Sequence, residues 1–167
     1  MLWDTHMHTH FSGDSDADPA AMAQAAIAKN LAGICITDHL DYDYPDDPDL
    51  FIIDFAQYRK EISQLQADFS DSIKINHGIE LGLQPHLARI HHELLLNENF
   101  DFVIGSSHVV HGIDPYYPSY YEGRTQSAAY REYFESILEN IVAFDEFDVY
   151  GHIDYVVRYG PNKDTDY

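Results

Sequence analysis

Basic residues and cysteine are what this chain has least of. Only 9 of its 167 residues are Lys or Arg, against 29 Asp or Glu, for a formal charge of −20. That deficit argues against a nucleic-acid groove or an anionic membrane surface as partner, because both need clustered cations. A phosphorylated substrate stays open, since divalent cations can reverse the local charge of an acidic site. The single cysteine, Cys35, cannot form an intrachain disulfide; within Gly33-Ile34-Cys35-Ile36 it reads as a small buried hydrophobe on a strand. No apolar run approaches the roughly 20 residues of a membrane span. The acidic start is unlike a signal peptide, so a soluble cytoplasmic protein is expected. Repeats, low-complexity tracts and linkers are also lacking. Residues 1–167 are therefore expected to form one domain, and 45% hydrophobic composition is enough for a core.

What the chain does have is an alternation of short apolar runs and helical patterns. Strands are expected at 2–4, 32–37, 73–79, 102–105 and 147–150. Helices are expected at 19–30, opened by Asp18-Pro19 as N-cap and first residue, and at 55–69, 86–96 and 127–144. The stripe Phe55, Tyr58, Ile62, Leu65, Phe69 marks the second helix. Tyr130, Phe134, Ile137, Leu138 and Ile141 mark the face of the last. Residues 41–49, acidic with two prolines, and the tyrosine-rich stretch 109–123 read as loops. The order βαβαβαβαβ predicts a parallel sheet with helical crossovers, either a barrel or an open doubly wound sheet. A barrel is favoured because every strand delivers a ligand type at its C-terminal end, and in a barrel those ends ring one opening.

The ligand types follow the strands as Asp4-Thr5-His6-Met7-His8, Thr37-Asp38-His39, Ile79-Glu80, Ser107-His108 and Gly151-His152. His6 and His8, two apart, point to one side of an extended chain and can reach one cation. His39 reads as a ligand with Asp38 supporting it from behind. Glu80 is costly to bury without a cation or base partner, and no Lys or Arg lies within three residues. His10 and Asp14 belong to the following loop. His10 reads as a substrate contact or support, whereas an acid such as Asp14, taken alone, is usually solvated. His77, His86, His91 and His92 lack convergent partners and read as structural or exposed; His111 can line a pocket. The 13 tyrosines read as an amphipathic cap over a core, with a carbohydrate or peptide surface as the alternative. Arg124 and Arg158 are surface charges unless they flank a metal site with phosphate chemistry, where each becomes a candidate oxyanion clamp.

Taken together, Asp4-x-His6-x-His8, Ser12-x-Asp14, Thr37-Asp38-His39, Glu80, Ser107-His108 and Gly151-His152-Ile153-Asp154 resemble the PHP (polymerase and histidinol phosphatase) superfamily. The segment 151–159 and the loop Asp114-Pro115-Tyr116-Tyr117 resemble its histidinol-phosphatase branch, an enzyme of histidine biosynthesis. The resemblance implies an α/β fold, a distorted (β/α)7 TIM-like barrel of which about the first five β/α units are visible. It implies two or three divalent metal ions (Zn, Fe or Mn). His6, His8 and Glu80 would hold the first, Asp14 and His39 the second, and Glu80, His108 and His152 the third, with Glu80 bridging. The implied activity is metal-dependent hydrolysis of a small phosphomonoester such as histidinol phosphate. Arg158 would contact phosphate, with Arg124 as alternate, and His10, His111 or water would be the leaving-group acid. Asp41, Asp43 and Asp114 are candidates for a substrate amine. Phosphoesterase action on another small phosphate or nucleotide, and metal binding without catalysis, remain alternatives. The late Asp-x-His of the family is absent before Tyr167, so a fragment or shortened form with open sheet edges is expected.

Overall fold

The computed structural model describes residues 2–45 and 47–162. Six strands form one sheet: β1 (Trp3–Asp4), β2 (Gly33–Ile36), β3 (His39–Leu40), β4 (Lys74–Gly82), β5 (Phe102–Ser106) and β6 (Val149–Tyr150). Every pairing is parallel, in the order β1-β2-β4-β5-β6, with β3 also on β4. Apart from β3, which lies off this path, the strands follow one another across the sheet in chain order, and among the described residues no reversal of order creates a doubly wound switch point. The sheet curls as a half-barrel.

Helices α1 (Pro19–Ala28), α2 (Phe55–Asp68), α3 (Ala88–Asn97) and α4 (Gln126–Ala143) make the crossovers. Their starts are written in local chemistry. Asp18 caps α1 through Ala20 N with Pro19 as first residue, Asp54 caps α2 through Ala56 N and Gln57 N, and Thr125 caps α4 through Ala128 N. The outer face of the sheet, with Ile34, Ile36, Ile75, Ile79, Leu81 and Leu83, packs against Ala23, Ala26, Tyr58, Ile62 and Leu65 of α1 and α2. Cys35 is fully buried, and burial pushes its thiol up to about 12. A second cluster joins Tyr120, Tyr130 and Tyr133 to Val110, Ile137 and Val156, as a cap of amphipathic rings would. None of the described helices is long and apolar enough to cross a membrane.

Three differences from the sequence reading affect the site. The second strand is interrupted: Thr37 N bonds to Met7 O and Glu80 N to Asp38 O, so the chain leaves regular pairing at 37–38 and resumes it as β3. β4 runs on to Gly82, which places Glu80 inside a strand rather than after one. The face of α4 is rotated from the apolar stripe. Phe134, Leu138 and Ile141 are exposed, while Tyr133 and Asn140 turn inward. Tyr133 OH donates to Ser107 O at 3.1 Å, and Asn140 Nδ2 donates to Ser107 Oγ at 2.7 Å and Leu83 O at 3.0 Å. Buried carbonyls that need donors outweigh the burial of three apolar side chains here. A short helix, α5 (Tyr155–Tyr159), also follows β6.

Candidate metal centre

Alternation along β4 sends Gly78, Glu80 and Gly82 to the concave face, opposite Ile79 and Leu81 in the core. Glu80 is fully buried and flanked on its own face by two glycines. Its carboxylate is ringed by imidazoles from four other segments. At Oε2 stand His6 Nε2 at 3.0 Å, His39 Nδ1 at 3.2 Å and His8 Nε2 at 3.4 Å. At Oε1 stand His152 Nε2 at 2.9 Å and His108 Nε2 at 3.3 Å, with Ser106 Oγ donating at 2.6 Å. His6 and His8 reach the same oxygen because Met7 between them pairs with Thr37, which keeps the segment extended. Gly151 lets the last segment close: a Cβ there would collide with Ser106 Oγ and stand 3.5 Å from Glu80 Oε1.

The loop after β1 is held by the interruption between β2 and β3. Asp38, fully buried, accepts from Thr9 N, Thr9 Oγ1 and Ser12 Oγ, and Ser12 Oγ accepts from His39 N. Asp38 thus ties the His6–His8 loop to His39 without facing the imidazoles.

Charge states follow from burial and neighbours. Burial, then His39, pushes His8 down to about 4, which leaves a neutral ring with a free lone pair at neutral pH. Burial opposes ionisation of Glu80. The His108 charge and hydrogen bonds from His108, His152 and His6 outweigh it and hold the carboxyl well below its ordinary range. Burial also opposes charge on His108, but Asp41 and Glu80 raise it well above the ordinary value.

Donor atoms within 4.8 Å of one another form three groups among the described residues: His6-His8-Glu80, Glu80-His108-His152 and His39-Asp41-His108. Among the described residues, His39 Nδ1, His152 Nδ1 and Asp41 Oδ2 are buried without a hydrogen-bond partner. Buried polar atoms left unpaired among imidazoles and carboxylates are what cation ligands look like, and this nitrogen–oxygen set suits Zn, Fe or Mn. The residues therefore fit divalent metals.

The centre forms the floor of a cavity of about 740 Å³. Asp14 lines it, largely exposed, with Oδ2 3.8 Å from His39 Nε2. Arg158 lines it from α5 and has no carboxylate partner among the described residues; it is the one Lys or Arg on the described wall. Tyr44, Tyr116, Tyr117, Tyr155 and Tyr159 supply an aromatic side. Asp114 sits behind them, accepting from Tyr44 OH, Tyr155 OH and Tyr116 N, with burial raising its pKa.

Other candidates lie elsewhere. His10 pairs with Glu61 at 3.3 Å. Arg124 pairs with Glu132 and lies over the Tyr120 ring. His111 pairs with Glu132 and Glu139, and His86 with Asp43. His77 and His91 are buried among rings, and His92 pairs with Glu146. Asp41, read from the sequence only as a candidate for a substrate amine, lines the cavity but is 2% exposed and bonded to His108. Its spacing of two from His39 was the available signal.

The PHP domain family profile matches residues 4–167. The chain belongs to the PHP domain family. The histidinol-phosphatase of Lactococcus lactis subsp. lactis is 37% identical over 162 residues, which are 96% of this PHP chain and 60% of that protein. A relative from Clostridium acetobutylicum is 32% identical, over 98% of this chain and 62% of its own length. The crystal structure of the L. lactis histidinol phosphate phosphatase, complexed with Zn, L-histidinol and phosphate, superposes with a TM-score of 0.92 at 38% identity. It aligns over 98% of this chain and 62% of that one. This chain thus spans about three fifths of the length of the relatives it matches.

Proposed function

We propose that this PHP chain belongs to a metal-dependent phosphomonoesterase that hydrolyses L-histidinol phosphate to L-histidinol and phosphate. The observation that carries the reading is Glu80 ringed by five histidines on the floor of a cavity whose described wall holds one free cation, Arg158. The relative bound to Zn, L-histidinol and phosphate supports the same chemistry. His6, His8 and Glu80 would hold one ion, Glu80, His108 and His152 another, and His39 with Asp14 a third. When bound, such ions supply positive charge to phosphoryl oxygens and ionise water near neutral pH. Glu80, anionic and a member of two donor groups, would contribute its charge to both ions. The Arg158 guanidinium, on the cavity wall, would take phosphoryl oxygens and stabilise their charge as the ester bond breaks. The tyrosine side receives the organic part of the ester, and Asp114 behind it biases that side toward a cationic group. His10, Arg124 and His111 lie off the cavity wall, so the leaving alkoxide takes its proton from water.

A second reading is metal binding without turnover by this chain alone. It is favoured by the coverage of only three fifths of the relatives' length. One experiment separates the two: metal content per chain after purification without chelator, together with phosphate release from histidinol phosphate. Two or three ions with chelator-sensitive turnover support the first reading. Ions without turnover support the second, and no uptake of Zn or Mn at neutral pH refutes both.

A further inference from the structure

Asp41 holds no ion in the scheme above, yet it is the second buried carboxylate of the centre. It lies two residues after His39, so alternation through Leu40 sends both side chains to the concave face. The β3–β4 register pairs His39 with Glu80 and Leu40 with Leu81, which brings Asp41 beside Gly82. A Cβ at 82 would collide with Asp41 Oδ1, so the missing side chain is the space the carboxylate occupies. Its ion-pair partners among the described residues are two imidazoles: His108 Nδ1, 2.7 Å from Oδ1, and His39 Nδ1, 3.6 Å from Oδ2. The first is a hydrogen bond and the second is too long to be one.

We propose that Asp41 is a positioning residue of the metal centre. Its Oδ1 fixes the proton of His108 on Nδ1 and thereby aims the Nε2 lone pair at the cation shared with Glu80 and His152. His108 Nε2 already faces that point, 3.3 Å from Glu80 Oε1 and 3.4 Å from His152 Nε2. A carboxylate behind a ligand histidine selects the tautomer, holds the ring and raises its basicity. Burying a carboxylate with one hydrogen bond and no Lys or Arg is costly, and a cation on the far side of the imidazole offsets that cost. The inference rests on the metal reading of this site and is independent of its substrate.

The test titrates Zn²⁺ into metal-free parent, Asp41→Asn and Gly82→Ala proteins. It reads affinity by chelator competition, ion number at saturation, and the protonation of His108 ring nitrogens by ¹⁵N NMR. The proposal expects unchanged ion number and one ion held about 10–100-fold less tightly in both variants. It also expects a His108 Nδ1–H in the loaded parent that is lost or exchange-broadened in Asp41→Asn. Gly82→Ala reaches the same result without altering a charge, which separates it from a general electrostatic effect. Parent-like affinity in both variants overturns the proposal. So does loss of a whole ion at saturation, which would make Asp41 a ligand alongside His39 and His108. Failure of the parent to take up Zn²⁺ overturns the metal reading itself.

Discussion

Glu80 has no exposed surface, five imidazoles and a serine hydroxyl around it, and no Lys or Arg in contact among the described residues. Replacing it with glutamine keeps the shape and removes the charge shared by two donor groups. Glu80→Gln should weaken Zn²⁺ binding at least 100-fold, roughly 2.7 kcal/mol, with content falling in elemental analysis of protein dialysed against micromolar metal; parent-like content would remove Glu80 from the ligand set. His91 shows the same residue type without a metal to serve. It is fully buried, neither ring nitrogen has a hydrogen-bond partner among the described residues, and burial pushes it down to about 4. Between the ordinary value and about 4, the unfolded chain binds a proton that the fold refuses. Stability is therefore unaffected by this group above pH 6.5 and declines as pH falls toward 4, by on the order of 3 kcal/mol in all. His91→Leu should flatten the difference between urea midpoints measured at pH 7 and pH 4.5; an unchanged pH dependence would show that His91 titrates normally.

Elements explain how five distant segments meet. The interruption between β2 and β3 is stitched from behind by α2. Tyr58 OH donates to Gly78 O at 2.9 Å, lies 3.3 Å from Ile36 O, and accepts from Asp38 N at 3.5 Å. Tyr58→Phe leaves those buried backbone groups short of a partner, so metal-free protein should lose about 1–2 kcal/mol in urea unfolding while keeping its helical signal. No loss would mean that water replaces the hydroxyl. The sequence made Tyr58 legible as part of an apolar stripe, but its hydroxyl's task depends on a strand break that no local pattern announces. Similarly, His6, His8, His39, His108 and His152 were readable because each follows a short apolar run, and period-two spacing put His6 with His8. Glu80 was readable as a residue and misplaced as a position, since Gly78 and Gly82 look like strand breakers yet lie inside β4, where Gly82 leaves the space that the Asp41 carboxylate occupies and Gly78 leaves room for Cys35 and Thr37. The short α5 has too few residues for a periodic signal. Burial of Val156 and the bond from Tyr121 OH to its carbonyl fix it, and both are tertiary.

At the scale of the whole molecule, 29 acids face 9 bases, and the fold gathers Asp14, Asp41, Glu80 and Asp114 around one cavity with Arg158 as the described counter-charge. Self-repulsion of that kind destabilises a compact state, and a cation bound only by the native fold relieves it by mass action. At 100 times its dissociation constant a single ion adds about 2.7 kcal/mol, and a chain of this size gains roughly 2–4 °C per kcal/mol. Zn²⁺ should therefore raise the melting temperature of metal-free protein by about 5–10 °C per tight site, and a chelator should reverse the gain. General screening would act differently, because monovalent salt weakens repulsion between exposed acids without entering the ring of imidazoles. If sodium chloride at high ionic strength reproduces the whole Zn²⁺ effect, the acidic surface accounts for it and the centre is not a high-affinity site. If Zn²⁺ at micromolar concentration raises the transition where equal ionic strength of NaCl does not, the stabilisation is local. Its loss in Glu80→Gln then assigns it to the buried carboxylate.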